Sequence, residues 1–160
     1  MARNIEGKIQ NLKTSIEKYI KDKLVVIEDL KINFEGVPFS PNDYSEWIQE
    51  NITIDDREFI RGADTGGVNA NENEVFVTFY IYVAKEKTKK ANRHYEIRDI
   101  VADYFSVGDT ISLYDFSGNN FSTVIQTLKI REVIRDTSLL DERKFFIYVY
   151  EVNLDWLEKF

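Results

Sequence analysis

The chain has 160 residues, of which 43% are hydrophobic and 14% aromatic, and its formal net charge is −7. This apolar content predicts a single folded domain, 1–160, and excludes a chain that is disordered throughout. No apolar run reaches the roughly 18 residues of a membrane span, and the amino terminus lacks the apolar segment of a signal peptide. The absence of cysteine excludes disulfides and thiolate zinc sites. We therefore expect a protein of a reducing cytoplasm, and the acidic charge argues against a general nucleic-acid binder.

The first third of the chain begins with the periodicity of an amphipathic helix. One apolar stripe repeats at steps of three and four residues: Ile5, Ile9, Leu12, Ile16, Tyr19 and Ile20. Asn4 is the expected N-cap. A brief strand is expected at Lys31–Phe34, and residues 34–43 hold both prolines of the chain, which predicts a turn-rich connection.

The middle of the chain predicts two strands separated by a loop, and the second strand has the strongest signal of the chain. Trp47–Ile54 alternates apolar and polar side chains, which is typical of a half-buried strand. Residues 55–73 combine three glycines with several Asn and Asp residues and predict a long mobile loop. Val75–Ala84 then brings ten β-branched, aromatic and small residues without Gly, Pro or charge. Apolar bulk on both faces predicts that it is the central strand of a sheet.

The last third of the chain predicts a second helix and three strands. The helix is expected over Lys89–Phe105, with Gly108 as its C′ residue. The strands are expected at Thr110–Phe116, Phe121–Arg135 and Phe145–Leu154, and the charged segment Asp136–Lys144 as a hairpin loop between the last two. This order of elements predicts an α+β fold: a mixed, mainly antiparallel sheet with two helices packed on one face.

Few residues of this sequence point to catalysis. His94 is the sole histidine, and its helical spacing from Ile97 favours packing at the edge of the core over a role as a base. Asp55, Asp56 and Glu58 are a conceivable metal site, but we favour a solvated turn. The glycines of the predicted loop do not have the spacing of a phosphate-binding loop. We therefore expect no enzyme activity, no catalytic residue, no metal site and no cofactor.

The charges are unevenly distributed along the chain. Residues 28–74 carry twelve acidic and three basic residues, a net −9, whereas residues 85–98 carry six basic and two acidic ones, a net +4. These charges are either ordinary solvated side chains or two surfaces that pair between copies of the chain. Head-to-tail pairing of unlike surfaces closes into a ring when the rotation allows. The candidate interface residues are Lys87, Lys89, Lys90, Arg93, Glu46 and Glu50.

Two further features leave alternatives open. The large apolar residues at the carboxyl end either fold back onto the sheet or dock on a neighbour: Leu154, Trp156, Leu157 and Phe160. Four tyrosines are candidates to line a small-ligand pocket between helices and sheet, which is the main rival to an assembly protein: Tyr80, Tyr82, Tyr148 and Tyr150. A compact acidic inhibitor of a basic toxin is a further alternative.

The element order resembles that of the tail terminator, or tail-completion, proteins of long-tailed bacteriophages. The resemblance rests on the amino-terminal helix, on Phe34–Pro41 (FEGVPFSP) and on the strand that begins at Trp47. It continues through the strong strand Val75–Val83, the second helix and a final sheet that ends in Tyr148–Trp156 (YVYEVNLDW). It covers most of the chain.

The resemblance implies a non-enzymatic virion protein that forms a ring, by analogy a hexamer, at the head-proximal end of the tail tube. Such a ring ends tail polymerisation and offers the surface for head-tail joining. The implied partners are further copies, the tail tube protein and the head-completion or connector protein. DNA passes through the lumen without specific binding, and no membrane is involved. The implied location is the host cytoplasm during assembly and then the virion.

By the same analogy, the predicted loop 55–73 and the hairpin 136–144 are contact or lumen elements. Their charged residues are Asp55, Asp56, Glu58, Arg61, Asp64, Asp141, Glu142 and Arg143. An acidic lumen would let DNA slide because phosphate repulsion keeps non-specific affinity low. The alternatives are another neck or head-completion adaptor, and a small α+β ligand- or protein-binding module.

Overall fold

The computed structural model describes the backbone of residues 8–60, 70–88, 90–116, 123–139 and 144–159, and the side chains of these ranges except 56–60. The described chain forms two α-helices, α1 (Ile9–Ile20) and α2 (Arg93–Tyr104). Its strands are β1 (Ile32–Asn33), β2 (Glu46–Ile60), β3 (Ala70–Ala84), β4 (Thr110–Tyr114), β5 (Val124–Leu139) and β6 (Phe145–Lys159). A π-helical segment, Lys21–Ile27, continues α1, and a 3-10 turn occupies Pro41–Asp43.

The strands form one curled sheet in the order β1-β2-β3-β6-β5-β4. Strands β1 and β2 are parallel, and the other neighbouring pairs are antiparallel. β3 lies inside the sheet, paired with β2 on one side and with β6 on the other along its whole length. The central position predicted for Val75–Ala84 is therefore confirmed, and so is the α+β fold with a mixed, mainly antiparallel sheet.

Both helices pack on the same face of this sheet, which we call the helix face. Leu12, Ile16 and Ile20 of α1 and Ile97 and Val101 of α2 share one core with alternate residues of the sheet. On β3 these alternate residues are Val75, Val77, Phe79, Ile81 and Val83. In the described part of the chain no helix covers the opposite face, which we call the open face.

Helix α1 also completes the hydrogen bonding of the edge strand β4. Ser15 and Asn11 are buried on α1 although both are polar. The backbone N–H of Tyr114 donates to the Ser15 hydroxyl oxygen (2.8 Å), and that of Phe116 donates to the Asn11 side-chain oxygen (3.1 Å). The two side chains thus take the place of a further strand at this edge, where unpaired backbone donors would otherwise remain.

The long loop predicted over residues 55–73 is wrong at both of its ends. Residues 55–60 continue β2 and residues 70–73 begin β3, while residues 61–69 lie outside the described part. Asp55 pairs with Glu74, and Ala70 pairs with Lys159 of β6. Because residues 70–74 are hydrogen-bonded between two neighbouring strands, this pairing outweighs the low strand propensity of their Asn and Glu side chains.

The helices begin later than their sequence patterns indicate. Lys8 has an extended backbone and α1 begins at Ile9, so Asn4, which lies outside the described residues, is not its N-cap. Helix α2 begins at Arg93 rather than Lys89, because Asn92 already departs from helical geometry. Basic residues near its start therefore precede the helix, which reduces their conflict with the helix dipole.

Two predicted turns also differ from the structure. Helix α2 ends at Tyr104, and Gly108 is not its C′ residue. Gly108 has a φ of +95° and donates its N–H to the Ile130 carbonyl (3.0 Å), so it already contacts β5 in the turn that precedes β4. The hairpin predicted over residues 136–144 is strand as far as Leu139, and residues 140–143 lie outside the described part.

The end of the π-helical segment supports a first prediction. The N–H of Leu30 donates to the Leu24 carbonyl (2.9 Å), and Asp29 between them has a φ of +55°. The N–H of Asp29 itself donates to the Val25 carbonyl (3.1 Å). This is the bond of an αL cap, whose left-handed position favours glycine. We expect Asp29→Gly to stabilise the protein by about 0.5–1 kcal/mol, because relief of the left-handed strain exceeds the entropy cost of glycine. Urea denaturation measures the change in the free energy of unfolding. Asp29→Ala is the control and should destabilise the protein, because alanine keeps the left-handed strain. A more stable Asp29→Ala variant would contradict this explanation.

Candidate functional site

The predicted interface pair of Glu46 and Arg93 is formed within one chain. The Nε and one terminal nitrogen of Arg93, at the start of α2, each lie 2.8 Å from a carboxylate oxygen of Glu46 on β2. Hydrogen bonds to this carboxylate raise the pKa of Arg93 above its usual value. Such a two-pronged pair orients α2 on the sheet. Both side chains remain partly exposed, at 28% and 27%, so their contact role between copies stays a prediction.

The lysines of the predicted interface remain on the surface. Lys87 donates to the carbonyl of Asn42 (3.0 Å), and Lys90 lies 3.6 Å from Glu96. Lys89 is outside the described residues. A contact role for these three lysines stays a prediction.

Glu50 is buried, although the sequence analysis placed it on an interacting surface. It lies on the helix face of β2 with 0% exposure, and its Oε2 accepts the backbone N–H of Glu35 (3.3 Å). Glu35 in turn accepts the Ile52 N–H (2.8 Å). Lys13 of α1 lies 3.4 Å from Glu17 and 3.8 Å from Glu35. We call Glu17, Glu35 and Glu50 the carboxylate cluster; it joins α1, the segment after β1, and β2.

The carboxylate cluster favours a proton on Glu50. Burial, reinforced by the negative charges of Glu17 and Glu35, raises the pKa of Glu50 to about 7, against the opposing effects of the Glu35 N–H and Lys13. Within the described chain Glu50 Oε1 has no hydrogen-bond partner. The described side chains contain no group of three or more His, Cys, Asp or Glu residues placed to hold a metal ion. Below about pH 7, a proton on Glu50 and the charge of Lys13 together offset the negative charge of this cluster.

The residues predicted to line a contact or a lumen are only partly described. Asp55 is exposed on β2, and its side chain lies on the open face. Asp56 and Glu58 belong to the backbone of β2, and their side chains lie outside the description. The other five lie outside the described residues: Arg61, Asp64, Asp141, Glu142 and Arg143. Their role stays a prediction.

One end of the open face is aromatic. The Trp47 ring stacks on Tyr82 with centroids 5.0 Å apart, and Phe145 meets Trp47 edge-on at 5.2 Å. Phe39, from the connection before β2, lies 6.4 Å from Trp47 and stacks on Tyr44 at 5.1 Å. The proline-containing connection is thereby attached to the sheet.

The four tyrosines of the alternative pocket do not line one cavity. Tyr80 and Tyr82 lie on the open face, whereas Tyr148 and Tyr150 belong to the core of the helix face. The Tyr150 hydroxyl donates to the carbonyl of Phe105 (2.6 Å) at the end of α2. Because side chains alternate between the two faces of a strand, these residues are separated by the sheet itself.

The other end of the open face is polar. Three pairs of side chains there connect neighbouring strands: Thr78 with Glu151, Asn153 with Glu74 (2.7 Å) and Arg131 with Asp155 (2.8 Å). The open face thus changes from aromatic to charged along the strands. The sequence pattern did not predict this gradient, since it depends on the register between β3, β5 and β6.

A second ion pair, which no sequence pattern indicated, ties α2 to the sheet at the surface of the protein. Arg98 donates from Nε to Asp136 of β5 (2.9 Å), and the Tyr148 hydroxyl donates to the same carboxylate (2.5 Å). The guanidinium of Arg98 lowers the pKa of Asp136, and burial with the Asp136 contact raises that of Tyr148 to about 12. No local signal in the sequence reveals this pair, because its members are far apart in the chain.

The sole histidine packs at the edge of the core, as predicted. His94 is buried, and its ring stacks on Phe146 with centroids 4.8 Å apart and planes 5° apart. Burial lowers its pKa, so the ring is neutral at physiological pH. The apolar carboxyl-terminal residues belong to the sheet itself as part of β6: Leu154 and Trp156 are fully buried on the helix face, Leu157 is half-buried, and Phe160 lies outside the described residues.

Comparison with known proteins shows the fold alone. No family model and no curated protein matches the chain. One solved structure superposes with a TM-score of 0.61 and 10% sequence identity, over 93% of this chain and 95% of its own length. Its name is a sequence identifier that states no function. In the described part of the chain, no helix is long and apolar enough to cross a membrane.

Proposed function

We propose that this chain is a structural protein of a long-tailed bacteriophage that assembles as a ring at the head-proximal end of the tail tube. The ring terminates tail polymerisation and provides the surface that joins tail to head. It acts through shape and contacts between copies, without bond-breaking chemistry. The protein is made in the host cytoplasm and then becomes part of the virion.

The observation that carries this proposal is the architecture of the sheet. Both helices lie on one face, and the long strands β2, β3, β6 and β5 present an open face from the aromatic group around Trp47 to the pairs around Asp155. Such a one-sided layer suits a wall between two environments. The resemblance of the element order to that of tail terminator proteins supports the same proposal.

The distribution of ionisable groups supports an assembly role over a ligand-binding one. Arg93, Arg98 and His94 are engaged in contacts that hold α2 to the sheet. The separation of the tyrosines onto two faces removes the pocket on which the ligand-binding alternative depended. A neck or head-completion adaptor shares the same surfaces, and only its binding partner separates it from a tail terminator.

Electron microscopy of tail tubes tests the proposal. Tubes assembled from the tail tube protein of the same phage should stop growing and carry a ring at one end when this chain is added. Capture on tail tubes, compared with capture on the head connector, separates a terminator from a neck adaptor. A tube length distribution that is unchanged by a molar excess of this chain would overturn the tail-terminator assignment.

A further inference from the structure

Two strand edges of the sheet have no neighbouring strand in the described part of the chain. β1 pairs with β2 only at Ile48 and Gln49, and β4 pairs with β5 only as far as Lys129. The Ile52 N–H is bonded to the Glu35 side chain, so the free edge of β2 runs from residue 53 to residue 60. The free edge of β5 runs from residue 131 to residue 139. Unpaired edges of this kind are templates for pairing with another chain.

The topology makes these two edges complementary in direction. β2, β3, β6 and β5 are antiparallel to one another in turn. Because their number is even, the two outer strands run in opposite directions. A second copy related by rotation, with its helices on the same face, therefore presents its β2 antiparallel to the β5 of the first copy. The contact is head-to-tail, and repeated contacts of this type form a ring when the rotation closes.

The free edges also match in the residues that they place on the open face. Residues 53–56 and 135–139 are each free of register shifts. Asp55 and Thr53 lie on the open face of β2, and Arg135 and Thr137 lie on the open face of β5. All four are exposed. With Arg135 placed opposite Asp55, Thr137 falls opposite Thr53, so one register brings together an ion pair and a threonine pair, both of which favour antiparallel pairing.

This register requires a stagger that a closed sheet accommodates. Arg135 is in register with Thr78 of β3 through Glu151, whereas Asp55 is in register with Glu74, four positions along β3. Four residues correspond to about 13 Å along a strand, and four strands to about 19 Å across the sheet. The strands would then tilt by about 35° from the ring axis, within the range of closed barrels.

We propose that copies of this chain join edge to edge, with residues 135–137 of β5 in one copy pairing antiparallel with residues 53–55 of β2 in the next. The sheet then continues from copy to copy, with the helices on one side and the open face on the other. The contact pairs Arg135 with Asp55 of the adjoining copy. The inference rests on the proposed function only for the closure of the ring, because edge pairing requires nothing but a second copy.

A charge exchange tests this contact. Sedimentation equilibrium on the full chain should show oligomers for the wild type. Asp55→Arg and Arg135→Asp should each weaken association about tenfold or more, because each places like charges opposite one another. The double variant Asp55→Arg/Arg135→Asp should restore it. Lys129→Asp is the matched control, since it makes the same charge change on β5 where β4 already covers the edge, and it should leave association unchanged.

Hydrogen exchange gives a second readout that does not depend on charge. Ile48 and Ile52 direct their N–H groups away from β3, so the alternation of a strand directs that of Ile54 outward as well. Its amide should exchange slowly only in the assembled protein. Singly substituted variants that associate as the wild type does, or a wild type that stays monomeric at about 100 µM, would overturn the edge contact. If variants whose association is unchanged still capped tail tubes, the edge contact would be disproved and the proposed function would stand.

Discussion

Replacing Glu50 by glutamine is expected to stabilise the protein by about 2–3 kcal/mol at pH 8 and to leave its stability near pH 4.5 unchanged. The wild-type carboxyl group is buried within the carboxylate cluster, and its pKa is raised to about 7. At pH 8 the folded protein must therefore hold a charge that burial and the neighbouring carboxylates disfavour. Glutamine has nearly the same shape as protonated glutamate and carries no charge at any pH.

The direction of the pH dependence follows from the raised pKa. Below about pH 4.5, Glu50 is protonated in both the folded and the unfolded chain, and its full contribution to stability is present. Between about pH 4.5 and 7 only the unfolded chain loses the proton, so this contribution falls by up to about 1.4 kcal/mol per pH unit. The loss is complete above the folded pKa. The gain from Glu50→Gln should therefore grow from pH 5 to pH 8.

Urea denaturation at pH 5, 6, 7 and 8 measures this difference. Glu132→Gln is the matched control, because Glu132 is exposed on β5 and its replacement should change stability by less than about 0.5 kcal/mol at each pH. A Glu50→Gln gain that is the same at pH 5 and pH 8 would show that the carboxyl group is already ionised at pH 5.

Replacing Phe105 by alanine is expected to lower the free energy of unfolding by about 3–5 kcal/mol. Phe105 is fully buried at the end of α2. Its ring meets Tyr19 of α1 edge-on at 5.2 Å and Phe79 of β3 at 4.8 Å. One side chain therefore joins both helices to the central strand. Its removal leaves a cavity in the core and loses two aromatic contacts, each worth about 0.5–1.5 kcal/mol beyond burial.

The same denaturation experiment with Phe105→Leu separates packing volume from aromatic contact. Leucine fills most of the space and should cost about 1–1.5 kcal/mol. Tyr19→Phe is a second comparison, because it keeps the ring but removes the hydroxyl that donates to the Tyr104 carbonyl (2.8 Å). A loss below about 1.5 kcal/mol for Phe105→Ala would mean that the two helices are held mainly by other contacts.

The sequence patterns located those helices and strands whose positions follow from the burial of apolar residues alone. Val75–Ala84 was recognisable because a long run of β-branched and aromatic residues is stable only between other layers. The stripe of Leu12, Ile16 and Ile20 located α1, since apolar residues at helical spacing must face a core. Residues 55–60 and 70–73 were missed because their strand conformation depends on backbone pairing, of the two segments with each other and of residues 70–73 with β6, which no local pattern reveals.

The charged residues show more clearly that a local pattern does not reveal which distant segments come together. Glu46 and Arg93 attracted attention as opposite charges, but only the fold brings them 2.8 Å apart in one chain. Glu50 belongs to an alternating strand, and its position on the helix face follows from the phase of that alternation. The sequence shows no difference between a carboxylate that faces water and one that faces α1.

The amino-acid sequence by itself determined an α+β domain with an interior strand at Val75–Ala84, an amphipathic helix before it and another after it, because these follow from apolar periodicity within single segments. The tertiary structure alone decided which charges pair and, among the described residues, which face of the sheet carries no helix and which strand edges have no neighbouring strand. Those features depend on the register between strands distant in the chain. Backbone hydrogen bonds are the same for every residue type except proline, so they do not select a register. The burial of one face and the connections between the strands select it, and both belong to the whole fold.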